Sequence, residues 1–180
     1  PLTDYGKTPD FTERLMFSNE RVECMEEGAP AVLREKGDNS RVKQIAKKHR
    51  YACDERGAPY PATRVFNIRD ALFEAIYEKL YADPTMILFG EDVRSWQGTF
   101  GVYRGLAETL PYHRLFNTPI SESVIVAAAV GYGMAGGRAV AEIMYGDFLG
   151  RCGDEVFNQM AKWHAMSAGL IKMPVVLRLP

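Results

Sequence analysis

Cysteine is scarce: Cys24, Cys53 and Cys152 are the only three in 180 residues, with no Cys-x-x-Cys or Cys/His spacing. That shortage weighs against a disulfide framework and a zinc site, and predicts a reducing compartment. An excess of one charge is missing too. With 22 basic and 23 acidic side chains the chain has no global field to draw in nucleic acid or an anionic membrane. No apolar run reaches the about 18 residues of a membrane helix, and the start, PLTDYGKTPD, has neither the basic nor the apolar region of a secretory signal. These absences predict a cytoplasmic protein with no nucleic-acid and no membrane partner.

What is present is an ordinary globular composition, 47% hydrophobic and 25% charged, which excludes disordered and fibrous classes. The chain opens on Pro1 and closes on the strand-like MPVVLRLP, so it reads as a piece of something longer. Residues 1–63 are polar, with Gly or Pro at 28, 30, 37, 57, 59 and 61, and predict a helical or irregular extension. Two short helices fit it. One is RVKQIAKKHR, with Val42, Ile45, Ala46 and His49 at helical spacing. Arg41, Lys43, Lys47, Lys48 and Arg50 surround that face as a solvated surface, a basic docking surface being the alternative. GAPYPATR reads as a linker.

From residue 64 to 180 helical and strand patterns alternate. NIRDALFEAIYEKLYAD predicts a helix with Ile68, Leu72, Ala75, Ile76, Lys79 and Leu80 near one face, Asn67 as its cap and Pro84 just beyond. TMILFGED is a buried strand ending at Gly90, and a loop with Gly98, Gly101 and Gly105 follows. RLFNTP is a short strand, SESVIVAAAVGYGMAGG a helix that stops at Gly136-Gly137, RAVAEIMY a strand, DEVFNQMAKWHAMSAG a helix and PVVLRLP a strand. This is an α/β pattern with a parallel sheet.

The string Gly131-Tyr132-Gly133-Met134-Ala135-Gly136 matches a dinucleotide fingerprint by letter only. Its glycines fall at the end of a helix and before a strand, the reverse of the strand–turn–helix order that brings a helix N-terminus to a pyrophosphate. Small residues there predict close packing of the helix on a neighbour, in the chain or in a partner.

Candidate chemistry gathers elsewhere. Each β-to-α connection leaves a parallel strand at its C-terminal edge, so Glu91 and Asp92, Glu122, and Tyr145 to Phe148 should converge at one end of the sheet. A carboxylate in the first helical turn is also favoured by the helix dipole, by about 0.3–1 kcal/mol, without any function.

At these residues the sequence resembles a family. LFGEDV, GVYRGL, RLFNTPISES, AVAEIMYGDF and FNQMAK…MSAG…PVVLRLP occur in the order and approximate spacing of the beta subunit of 2-oxo-acid dehydrogenases, over residues 65–180. That subunit belongs to the thiamine-diphosphate-dependent first component of the complexes. The resemblance implies a transketolase-like pyrimidine-binding domain, a parallel sheet with helices on both faces, truncated before a carboxy-terminal transketolase-like domain. It implies that Glu122 hydrogen-bonds N1′ of the aminopyrimidine. Such a bond favours the imino form, whose nitrogen takes the C2 proton of the thiazolium.

The resemblance also implies that Phe148 stacks on the pyrimidine, the alternative being an ordinary core aromatic. Glu91 would lie near the cofactor and a subunit interface, the alternative being a solvated turn carboxylate. Tyr145 is a pocket-wall residue, and His113 and His164 are surface or interface side chains.

In the family, diphosphate and Mg²⁺ are held by a GDG motif with a later Asn in a different domain. The Gly-Asp pairs here, in GDN (37–39), GDF (146–148) and GDE (153–155), do not satisfy it. The implied Mg²⁺ therefore belongs to an alpha-type domain or subunit, and the 180 residues alone are expected to be inactive. The expected enzyme decarboxylates a 2-oxo acid and transfers the acyl group to a lipoyl carrier. Transketolase, 1-deoxyxylulose-5-phosphate synthase and a non-catalytic assembly domain are the alternatives. A homo-oligomer or heterotetramer is expected from the small-residue face of residues 121–137 and the apolar Val156, Met160 and Trp163.

Overall fold

The computed structural model describes residues 33–48, 52–60 and 65–180. Asn39 opens the first helix, α1 (Ser40–Ala46), its side-chain oxygen accepting from the N–H groups of Arg41 and Val42 at 3.0 and 3.1 Å. Its apolar face is narrower than the spacing predicts, because Ile45 is buried and Val42 packs beside it while Ala46 is exposed. His49, part of the proposed linker and residues 1–32 fall outside the described residues.

Arg41 departs from the solvated face that the sequence predicts. It is buried, lies 4.1 Å over the ring of Phe73, and donates to the carbonyls of Val102 and Arg104 at 2.7 and 2.9 Å and to Asp70 at 3.2 Å. The reason is a demand that periodicity does not register: buried carbonyls in an irregular loop need donors, and a guanidinium supplies several.

The second helix, α2 (Ile68–Ala82), starts where predicted, with the Asn67 side chain accepting from the N–H of Asp70 at 2.7 Å. Its buried face is rotated. Asp70, Phe73, Tyr77 and Leu80 point inward, whereas Ile68 is 80% exposed. Two stacked rings 5.4 Å apart, Phe73 and Tyr77, bury more area than Ile68 and Leu72, and Arg41 with Lys48 neutralises Asp70 on that face.

Strands β1 (Met86–Gly90), β2 (Leu115–Asn117), β3 (Arg138–Glu142) and β4 (Val175–Arg178) form one sheet in the order β2-β1-β3-β4, all parallel. Alternate residues serve two cores. Met86, Leu88 and Val140 pack with Ile45, Phe73, Tyr77 and Leu80 on one face. Ile87, Phe89, Ala139 and Ala141 pack on the other with Ile125, Val126, Ala129 and Val130 of α3 (Glu122–Met134). The sheet thus has helices on both faces, as expected.

The predicted helix over residues 154–169 is not uniform. A π-helical stretch, Glu155–Met160, leads into α4 (Ala161–Met166), and the Asp154 carboxylate accepts from Asn158 and Gln159 at 2.7 and 2.9 Å across the wider turn. Val156, Met160 and Trp163 pack against the chain's own α3-side core, so they are not the free partner surface that the sequence suggests.

The glycine string ends α3. Gly136, at φ 98°, donates to the Gly133 carbonyl at 3.0 Å and Gly137 to that of Tyr132 at 3.1 Å, a Schellman stop that needs a left-handed residue. A Cβ on Gly133 would lie 2.9 Å from Val175 Cγ2, so that glycine brings the helix down onto β4, whereas one on Gly131 would meet nothing within 4 Å.

These contacts set two expectations for chemical denaturation. Gly131→Ala should stabilise by about 0.5–1 kcal/mol from helix propensity, while Gly133→Ala should lose that gain to the contact with the stiff Val175; the reverse order would refute the packing account. Arg41→Ala should cost about 3 kcal/mol or more by orphaning buried carbonyls and part of Asp70. Lys48→Ala, from a side chain that is 41% exposed, should cost about 1 kcal/mol or less.

Candidate active site

Because all four strands run the same way, the chain leaves each of them at one edge of the sheet. There the N–H of Thr118 donates to the Gly90 carbonyl at 2.9 Å and ties the ends of β2 and β1 together. Glu91 follows directly. It is 7% exposed, and its Oε1 is buried with no hydrogen-bond partner among the described residues. Burial pushes its carboxyl above the usual range, and the charges of Glu122 and Asp92 add to the shift. A solvated turn carboxylate would behave otherwise. Asp92, the next residue, is exposed and adopts a left-handed φ of 53°.

Glu122 is the first residue of α3 and is buried. Its side chain makes no hydrogen bond among the described residues, and the Ser121 side chain does not cap the helix. The first turn is held by Ser123, whose hydroxyl donates to the Arg151 carbonyl. That bond brings the 3₁₀ segment Gly146–Cys152, which carries Phe148, against the start of the helix. Burial raises the Cys152 thiol, with the Glu155 charge and then that of Glu122 contributing, so Cys152 lies within electrostatic reach of Glu122.

Tyr145 and Phe148 meet edge to face, centroids 5.9 Å apart at 87°, and are 43% and 38% exposed. Phe148 is therefore not an enclosed core aromatic. Beside the first turn of α3 an apolar cavity of about 190 Å³ is lined by Phe89, Phe116, Pro119, Ser121, Val124 and Ile125. Phe89 and Phe116 stack across it at 5.2 Å, and Thr118 Oγ1 is a second buried polar atom without a partner among the described residues. None of Glu91, Glu122, Tyr145 and Phe148 lines this cavity, so it lies beside the acidic edge and does not enclose the four candidate residues. His113 and His164 lie apart from that edge. Half-buried His113 is lowered to about 4 by burial and then by the Arg114 charge, and exposed His164 places Nδ1 2.7 Å from the Ile171 carbonyl oxygen.

Sequence reasoning missed the ion pair that closes this end. Glu142, at the end of β3, pairs with Arg178 of β4 at 2.5 Å and accepts from the N–H of Thr99 at 2.7 Å. Thr99 in turn donates through its hydroxyl to the Met144 carbonyl at 3.2 Å, so the loop after β1 is pinned across the strand ends. Gly98, at φ 68°, makes the approach possible, since a Cβ there would stand 2.3 Å from the Tyr103 ring. The signal was present: opposite charges inside the two apolar runs AVAEIM and VVLRLP, which cannot be buried unless paired.

Comparison with known proteins agrees with this architecture. Residues 64–180 match the family described as transketolase, pyrimidine binding domain. The beta subunit of acetoin:2,6-dichlorophenolindophenol oxidoreductase from Cupriavidus necator is 40% identical over 125 residues, covering 64% of this chain and 37% of that protein. The mitochondrial pyruvate dehydrogenase E1 component subunit beta-2 of Oryza sativa subsp. japonica is 34% identical over 154 residues, 83% of this chain and 41% of the relative. The beta subunit of 3-methyl-2-oxobutanoate dehydrogenase of Mycobacterium tuberculosis is 36% identical over 118 residues, 66% and 34%. The chain thus spans between 34% and 41% of the length of these relatives. It belongs to the transketolase pyrimidine-binding domain family and is similar, within it, to beta subunits of 2-oxo-acid dehydrogenases, that of the pyruvate dehydrogenase E1 component among them, and of an acetoin oxidoreductase.

Proposed function

We propose that this chain supplies the aminopyrimidine side of a thiamine-diphosphate site in an enzyme that decarboxylates a 2-oxo acid and passes the acyl group to a lipoyl carrier. The observation that carries the reading is Glu122, at a helix start and only 9% exposed, whose carboxylate makes no hydrogen bond among the described residues and is not among the enclosed polar atoms, so it is open to a ligand. A group so placed fits a ligand that brings its own N–H, and the half-exposed Tyr145 and Phe148 fit a flat ring.

Thiamine diphosphate would supply the nucleophilic carbon that the 2-oxo acid chemistry needs. The residues of this chain orient it. Glu122 would hydrogen-bond ring nitrogen N1′ and so favour the imino form, in which N1′ carries a proton and the exocyclic nitrogen is the base. Phe148 would stack on the pyrimidine, Tyr145 would wall the pocket, and Glu91, whose carboxyl burial pushes above the usual range, would lie next to Glu122 near the cofactor. The alpha-type partner holds diphosphate and Mg²⁺. A partner is further supported by Trp96, Phe100, Ile120 and Val124, which are 79%, 68%, 80% and 63% exposed in the segments that leave β1 and β2 at this edge. Assembly with that partner, a cytoplasmic location and inactivity of the 180 residues by themselves belong to the same proposal.

Cofactor titration of the assembled enzyme tests the roles. Glu122→Gln should lower turnover by about 10²-fold or more at saturating cofactor. Phe148→Ala should keep turnover at saturation and weaken cofactor binding by about 1–3 kcal/mol. Full turnover of Glu122→Gln in excess cofactor would reduce the carboxylate to a binding group and sink the activation role, and unchanged cofactor affinity in Phe148→Ala would sink the stacking role.

The raised Glu91 carboxyl has its own signature. Its stabilising contribution is complete where the unfolded chain also holds the proton, and is lost as pH rises through the folded value. Glu91→Gln should therefore match the parent in thermal stability near about pH 4 and exceed it increasingly toward about pH 8. An advantage confined to acid pH would contradict the assignment.

A further inference from the structure

On the opposite face of the sheet a second cavity, of about 220 Å³, lies between α1, the start of α2 and the loop at Arg104 to Glu108. Arg41, Lys48, Arg69, Arg104, Gln44 and Glu108 line it. Arg41 is built into the floor: besides its bonds to Val102 and Arg104, its Nη2 donates to the carbonyl of Arg69 at 3.4 Å and to Asp70 at 3.2 Å. One buried guanidinium thus ties down the backbone at 69 and at 104 and sets the two exposed arginine side chains on either side of the opening.

The carboxylates nearby are already engaged. Asp70 takes Arg41 and, at 2.8 Å, Lys48; Glu108 accepts from the N–H and the hydroxyl of Ser40 at 2.9 and 2.6 Å. Neither Arg69 nor Arg104 has an ion-pair partner among the described residues. Burial lowers the Arg41 guanidinium pKa, and repulsion from Arg69 and Arg104 acts in the same direction against the pull of Asp70. Among the described residues, four cations against two carboxylates leave two positive charges at this concave surface without a counter-charge.

We propose that this cavity binds a phosphate monoester as its dianion, gripped between the guanidinium forks of Arg69 and Arg104 with Lys48 at the rim. Each fork offers parallel N–H donors that match phosphate oxygens, and the excess charge matches a dianion. Because Arg41 also holds the carbonyls of Val102 and Arg104, the ligand would sit on the loop that Glu142 pins at Thr99. The site is separate from the acidic edge and does not depend on the function proposed for that edge.

The test is calorimetric titration of the full-length protein with inorganic phosphate and with glycerol phosphate, at low ionic strength, with acetate as control. Both phosphates should bind saturably. R69Q/R104Q should weaken them by about tenfold or more, and R69K/R104K, which keeps the charges and removes the forks, should fall between. Both arginine side chains are exposed and engage Arg41 only through their main-chain carbonyls, and a thermal melt checks that the variants fold. Should R69Q/R104Q not fold, the lysine variant carries the test alone, expected to bind more weakly than the parent. Absence of saturable binding, equal binding of acetate, or affinity unchanged in a folded variant would each overturn the proposal.

Discussion

Burial of a parallel sheet on both faces is the constraint from which the rest of this structure follows. Strands β1 and β3, covered on two sides, present apolar residues to both cores, so polar and charged groups are driven to the strand ends. Parallel direction then makes one end the place where every strand hands over to a helix or loop. Glu91, Glu122, Glu142, Tyr145 and Phe148 lie there because of chain direction, although β1, α3 and the segment after β3 bring them from separate parts of the sequence.

The loops at this sheet are fixed largely by buried arginines. Arg94 donates to the carbonyls of Leu110 and Leu115 at 3.1 and 3.0 Å; Arg114 reaches those of Met86, Leu80 and Asp83 at 2.6, 2.6 and 2.8 Å. Arg41 does the same for the loop at 102–104. Each such side chain carries a desolvation cost, offset by several charge-assisted bonds to backbone carbonyls. Irregular segments gain in this way the definition that helices and strands obtain from their own backbone.

That division explains what was legible in the sequence. The alternation of patterns gave the strands, the Asn67 cap, the glycine stop of α3 and the parallel sheet, because period and capping chemistry are local. The convergence of acids at one edge was legible from the same order of elements. The inward turn of Asp70 and Arg41, the rotated face of α2 and the Glu142–Arg178 pair were not, since each depends on a partner far along the chain: 29 residues separate Arg41 from Asp70 and 36 separate Glu142 from Arg178. The missing information is tertiary: which long-range partner meets a charge. Residue type and spacing do not encode it, although a charge inside an apolar run shows that such a partner must exist.

Glu142 and Glu122 make the consequence concrete. Both are buried carboxylates at the same edge, and the first is satisfied by Arg178 and the Thr99 N–H while the second has no donor among the described residues. Glu142 thus has its partners within the chain, whereas Glu122 makes no such pair among the described residues, the difference on which the proposed ligand role of Glu122 rests. The exposed rings of Trp96 and Phe100 follow β1 at this edge, and Tyr145 and Phe148 follow β3. They leave uncovered aromatic surface beside the acidic edge, and that is the surface which the proposed ligand and partner would cover.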